Sequence, residues 1–148
     1  MASKSKRTTL TFASVGIDIG KEVFHLVGFD TDGKITLRRK IKRMALINEF
    51  EKLPPCIVGM EACLSAHFVS RTLRKLGFEP RIIPAFYVKP FVKGQKNDYN
   101  DAEAIAEAAL RPNLQPVTEK TQDQLDLQAL HRVRSRLVSR RTATINQI

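Results

Sequence analysis

The apolar positions of this chain change period along its length, and the changes mark out its elements. Residues 12–19, 23–29 and 35–41 predict three strands, and the turn Asp30-Thr31-Asp32-Gly33-Lys34 joins the second and third as a hairpin. A short amphipathic helix follows over 45–53, Pro54-Pro55 ends it, and 56–61 is a compact apolar strand. Val69, Leu73 and Leu76 mark one face of a helix that closes with Arg74-Lys75 and Gly77, as the helix dipole and a left-handed cap favour. Residues 80–84 predict a further short strand. A strongly helical segment runs from Asn97 to about Leu110 and is broken by Pro112 and Pro116. A last, long helix starts near Gln122 and is expected still to be running at Ile148.

Three antiparallel strands followed by helix, strand, helix, strand and helix predict an α/β fold. The order is that of a mixed five-stranded sheet with helices on its faces, the ribonuclease H-like arrangement, here with a long C-terminal helix added. Leu130, Val133, Leu137, Ile145 and Ile148 give that last helix an apolar face in need of a partner surface, so a continuation of the chain, a dimer or both are expected. The 148 residues, 43% hydrophobic and 27% charged, suit one globular core, and no internal repeat or low-complexity tract interrupts them.

Charge adds a class of partner. The formal net charge is +10, and it is concentrated at the two ends: residues 1–43 carry ten Lys/Arg against four Asp/Glu, 44–117 nine against eight, and 118–148 six against three. A basic surface favours polyanions, nucleic acid ahead of an anionic membrane. No run is long and apolar enough to span a bilayer, and residues 1–9 lack the apolar stretch of a secretory signal, so a cytoplasmic location is expected. Cys56 and Cys63 have no partners at metal-ligand spacing and are expected to be reduced packing residues.

The candidate chemistry lies in four acids. Alternation in the first strand puts Gly16, Asp18 and Gly20 on one face and Val15, Ile17 and Ile19 on the other. Glycine weakens a strand, so two of them flanking an acid imply that something approaches the backbone closely there. Gly59 precedes Glu61 in the same way. On the helix after Asn97, Asp98 and Asp101 share a face with Ala102, Ile105 and Ala109, while Glu103 and Glu107 are expected to point to solvent. Four carboxylates drawn together repel one another unless a cation compensates them, and Mg²⁺, with its preference for hard oxygen ligands, fits acids drawn from three elements. Two such ions about 3.5 to 4 Å apart are the apparatus of phosphoryl transfer. Each acid alone also fits a local role: a turn or helix cap for Asp18 and Glu61, and dipole partners for Asp98 and Asp101.

The stretches Val15-Gly16-Ile17-Asp18-Ile19-Gly20-Lys21, Gly59-Met60-Glu61-Ala62 and Lys96-Asn97-Asp98-Tyr99-Asn100-Asp101-Ala102 closely resemble the DEDD insertion-sequence transposases related to the Piv/MooV invertases. The likeness runs from about residue 14 to the end and includes Arg134, Leu137-Val138, Arg141-Thr142 and Asn146 in the basic helix. It implies a RuvC-like catalytic domain over 1–118, whose acids, matching Asp18, Glu61, Asp98 and Asp101, bind Mg²⁺, or Mn²⁺ as a substitute, and act in cutting and joining DNA. Residues 119–148 would then begin a basic, coiled-coil-like helix leading to a C-terminal transposase domain. The resemblance further implies an element-encoded guide RNA as partner, a serine nucleophile in that C-terminal domain, a homo-oligomer, inactivity of this fragment alone, and a bacterial or archaeal, nucleoid-associated protein. Ser65, Ser70, Ser135 and Ser139 stand in helical segments of the wrong domain for that serine. Family members often have an aromatic residue and a glycine after the glutamate, where this chain has Ala62-Cys63-Leu64-Ser65.

Between the fifth strand and the acidic helix, Phe86, Tyr87, Lys89, Phe91, Lys93 and Lys96 interleave aromatic and basic side chains, a pattern able to stack bases and hold phosphates, or else to pack its aromatics under the helix. Lys89, Lys93, Lys96, Arg134, Arg140 and Arg141 are the nucleic-acid-binding candidates. Three other readings compete. A Holliday-junction nuclease would cut without joining, and a non-catalytic module would use the acids for structural metal. A sugar-kinase-like phosphotransferase shares Asp18-Ile19-Gly20 but needs a hydroxyl residue where Lys21 stands, and a second lobe.

Overall fold

The computed structural model describes residues 11–95 and 97–148. They fall into two compact units, one ending at Thr118 and one spanning Glu119–Ile148. In the first, β1 (Ser14–Ile19), β2 (Val23–Phe29) and β3 (Ile35–Lys42) form an antiparallel meander. The turn between β2 and β3 is pinned by Asp30, whose carboxylate accepts from the amides of Asp32 and Lys34, both at 2.9 Å. A 3₁₀ turn at Arg43–Ala45 leads to α1 (Leu46–Phe50), and β4 (Ile57–Glu61), α2 (Leu64–Lys75) and β5 (Glu79–Ile83) complete the sheet. Its order is β3-β2-β1-β4-β5, with β4 parallel to both β1 and β5. The mixed five-stranded sheet with flanking helices expected from the sequence is therefore the fold observed.

One face of the sheet buries Val15, Ile17, Phe24, Leu26, Val58 and Met60 against Phe50 of α1 and Ala66, Val69 and Leu73 of α2, which is the main core. The other face carries α4 (Asp98–Ala109), started by the Asn97 side chain accepting from the Tyr99 amide at 2.9 Å and closed by Arg81, which donates to the Ala109 carbonyl at 2.6 Å.

The seat of α4 explains the glycines. A Cβ at Gly16 would run into the Ala102 carbonyl oxygen and stand 2.6 Å from the Ala106 amide; one at Gly59 would be 2.8 Å from the Ala109 Cβ. Ser14, two residues before Gly16 on the same face, donates its hydroxyl to the Ala106 carbonyl at 2.8 Å. The close approach inferred from the sequence is real at these two positions, and the approaching group is the helix that bears the acids. A Cβ at Gly20 meets only the Val23 carbonyl of its own turn.

Several boundaries differ from the periodicity. Residues 85–91, read as a linker, form α3 (Ala85–Val88) and a 3₁₀ turn (Lys89–Phe91), because Tyr87, Val88 and Phe91 pack onto α4 and bury apolar area. The second unit is α5 (Gln122–Ile145), whose start is fixed by a capping box between Thr121 and Gln124. It ends at Ile145 instead of running through Ile148: the amides of Gln147 and Ile148 turn back to Thr144 and Ile145 in tighter, three-residue bonds. Arg132, Arg134, Arg136, Arg140 and Arg141 are all exposed on it. Among the described residues no helix is long and apolar enough to cross a membrane.

Gly16→Ala is expected to lower stability by about 1 to 3 kcal/mol or more, because the added methyl meets helix backbone that cannot step aside. Urea unfolding followed by circular dichroism measures this, and a change under about 0.5 kcal/mol would mean α4 does not sit so close.

Candidate metal centre

Asp18 projects from the end of β1 toward the start of α4. In the antiparallel register it stands opposite His25 of β2, and on the other side the parallel pairing Ile17↔Met60, extended by one residue, brings Glu61 beside it. The first turn of α4 adds Asp98 and Asp101 from above. The His25 Nδ1 lies 3.6 Å from Asp98 Oδ2 and 4.0 Å from Asp18 Oδ2. Side-chain exposure grades across the group, from 11% at His25 through 30% at Asp18 to 63% at Asp98, so the cluster opens outward from a nearly closed floor. A cavity of about 360 Å³ adjoins it, with Asp18, His25 and Asp98 on its wall and Lys21 and Lys40 among its other lining residues.

The electrostatics mark Asp18 as the centre of the group. Its carboxyl is held above the ordinary carboxylate range, first by burial, then by the charges of Asp101 and Asp98 and more weakly by Glu61, with His25 acting the other way. Asp101, Asp98 and Glu61 thus each lie near enough to act on Asp18. The oxygen ligand atoms that lie together come from β1 and α4 only, with Glu61 and Asp101 outside their group. Asp18, Asp98 and His25 each present one ligand atom within 4.8 Å of the others.

His25 escaped the sequence reading. Alternation along β2 puts it on one face with Val27 and Phe29, but only the strand register shows that this face meets Asp18. Its ring is held edge-on by Tyr99, with centroids 4.9 Å apart. Tyr99 in turn lies beneath Arg38 of β3.

Other expectations change. Glu103 does not point freely to solvent: its carboxylate is 17% exposed, with Lys93 at 3.4 Å and Arg38 at 3.7 Å, because α4 lies close enough to β3 for Arg38 to reach over it. Lys93 also approaches Glu107 at 3.5 Å, and the two glutamates hold its ammonium charged above the ordinary lysine range. Of the basic linker residues, Lys93 is therefore engaged with acids, Lys89 is exposed, and Lys96 lies outside the described residues. The aromatics divide: Tyr87 and Phe91 pack against α4, with Arg111 stacked 4.6 Å over the Phe91 ring, while Phe86 is exposed. Cys56 is part-buried, which pushes its thiol up to about 12, but Cys63 is exposed at the start of α2 and is no packing residue.

The IS110-type DEDD transposase family model matches residues 15–148. The chain belongs to this transposase family. It is 47% identical over 94% of its length to a probable family 20 transposase of Pseudomonas aeruginosa, and 45% identical over 90% to the transposase for insertion sequence element IS1328 of Yersinia enterocolitica. The transposase for IS1111A of Coxiella burnetii is 43% identical over 98%. These matches cover 41%, 40% and 40% of the relatives, so this transposase-family chain spans about two fifths of their length. Among solved structures, T. thermophilus RuvC in complex with Holliday junction substrate superposes with a TM-score of 0.56 at 12% identity, over 70% of this chain and 98% of that one. The fold of the first unit is thus RuvC-like.

Because folding raises the Asp18 pKa, this group's contribution to stability is fully present below the ordinary value of 3.8 and is lost as pH rises through the raised folded value. In metal-free buffer Asp18→Asn should therefore be more stable than the wild type near pH 7, with the advantage shrinking as pH falls toward 3.8. Thermal melts in chelator across pH 4 to 8 test the sign, and a loss of stability that is the same at every pH would contradict it.

Proposed function

We propose that this chain is the carboxylate-bearing part of a DNA transposase, in which Asp18, Glu61, Asp98 and Asp101 hold Mg²⁺, or Mn²⁺ in its place, for cutting and joining DNA. The supporting observation is the convergence of acids from β1, β4 and α4 on one half-buried aspartate, in a member of a transposase family. Bound there, divalent ions would supply the positive charge that activates an attacking oxygen and stabilises a leaving one.

The chain's own residues have distinct parts in this reading. Asp18, fixed on a central strand, orients the site, and its partial burial keeps competing water away from one side. Asp98, mostly exposed, faces the side from which a phosphodiester would enter. Lys21 and Lys40, on the wall of the cavity, would receive phosphates flanking the scissile one. The exposed arginines of α5, Arg134, Arg140 and Arg141 among them, would follow a nucleic-acid backbone, and a structured guide RNA is a partner alongside DNA. The serine nucleophile and the oligomer implied by the family resemblance would act together with these residues in strand transfer.

Saturating Mg²⁺ or Mn²⁺ is expected to raise the melting temperature of the wild type by roughly 5 °C or more, as for a ligand at about a hundred times its Kd. Asp18→Asn and Asp101→Asn should lose that rise; equal shifts in all three proteins would remove the metal site from the proposal. Binding of duplex DNA or structured RNA should weaken steeply with salt. Replacing Arg140 and Arg141 together by alanine should flatten the slope of log K against log salt by about 2, and an unchanged slope would move the contact off α5.

A further inference from the structure

We infer that His25 is itself a ligand in the carboxylate site, and that its imidazole biases the site toward first-row transition ions over Mg²⁺. The inference rests on the metal-binding reading of Asp18 and Asp98 and adds a donor of a different chemical kind.

The placement of His25 is specific. It is 9% exposed, on the strand next to Asp18 and directly opposite it in register. Its Nδ1 faces two carboxylates from two other elements, at 3.6 Å and 4.0 Å. Both gaps exceed hydrogen-bond length, which ends near about 3.2 Å for such pairs. Held short of both acids, the imidazole leaves room for an ion between the three donors, whose ligand atoms lie within 4.8 Å of one another.

The ring is also held in place. Tyr99 meets it edge-on at an interplanar angle of 77°, and Tyr99 is the residue next to Asp98, so the same turn of helix sets the acid and braces the imidazole. Ligands positioned by neighbouring packing in this way lose little freedom on binding metal.

Donor type decides the consequence. Mg²⁺ takes oxygen ligands and keeps its waters, so an imidazole adds little to its binding. A nitrogen donor strengthens binding of first-row transition ions, increasingly from Mn²⁺ to Co²⁺. The four acids alone would make a site for hard cations; with His25 the same site discriminates among them.

The test uses the 148-residue chain with Mg²⁺, Mn²⁺ and Co²⁺ as probes. Affinities are measured by calorimetry for the wild type, His25→Asn and Asp18→Asn, with His25→Ala as a second variant should the first disturb folding. Pulsed electron paramagnetic resonance of bound Mn²⁺ reads nitrogen coupling directly. The wild type should show coupling to one imidazole nitrogen, and His25→Asn should abolish it. That variant should also lose about tenfold or more in Co²⁺ affinity, less for Mn²⁺, and stay within about twofold for Mg²⁺. Absent nitrogen coupling in the wild type, or equal losses for all three ions, would overturn the assignment. A gain for all three ions on replacing His25 would overturn it too, since the imidazole would then be a competitor of the metal. If Asp18→Asn abolishes binding while His25→Asn leaves it untouched, only the His25 assignment falls; if no ion binds the wild type, the carboxylate reading falls with it.

Discussion

Helix α4 can lie on the sheet as closely as it does because two adjacent strands carry no side chain where it crosses them. At Gly16 and Gly59 the helix backbone occupies the space a Cβ would need, and the Ser14 hydroxyl ties the Ala106 carbonyl to β1 at the same crossing. A helix resting on larger residues would ride higher, and Asp98 and Asp101 would stand away from Asp18. The contact that positions the acids is thus a packing contact, made by the smallest residues on both sides: glycines below, and Ala102, Ala106 and Ala109 above.

Packing of this kind forces charges together that would otherwise separate. The fold answers unevenly. Lys93 and Arg38 neutralise Glu103 along the helix, while the Asp18 and Asp98 end of the cluster has the His25 imidazole beside it. The acids of α4 accordingly divide into a pair with ordinary salt-bridge partners and a pair facing Asp18, whose carboxyl remains reluctant to ionise. The second pair is where an added cation would relieve repulsion.

Much of the architecture was legible in the chain. Period-two runs, the Asp30 turn and the proline stops are local signals, and they delivered the sequence of elements and the class of sheet. The four acids could be proposed as a group because glycine spacing and helical spacing are local too. What escaped was set by tertiary register. His25 shares its face with Asp18 only through strand pairing, and the purpose of Gly16 and Gly59 could not be read without knowing where α4 crosses. Glu103 was assigned to solvent because helical periodicity says nothing of a neighbouring strand's arginine. Residues 85–91 are too short a stretch to announce helix by period, and they owe it to burial of Tyr87, Val88 and Phe91 against α4. The last turn of α5 likewise follows end effects that propensity does not count.

The capping box at Thr121 gives α5 a fixed origin. With a rise of about 1.5 Å per residue, Arg132 stands roughly 16 Å and Arg141 roughly 30 Å along the axis from that origin. The helix is then a ruler, its 24 residues covering about 36 Å, close to one turn of duplex DNA. Positive charge placed on such a ruler has a set spacing. On the nucleic-acid reading proposed above, a flexible basic tail of the same composition would meet phosphates at any separation, whereas this helix would meet best those whose spacing repeats its own.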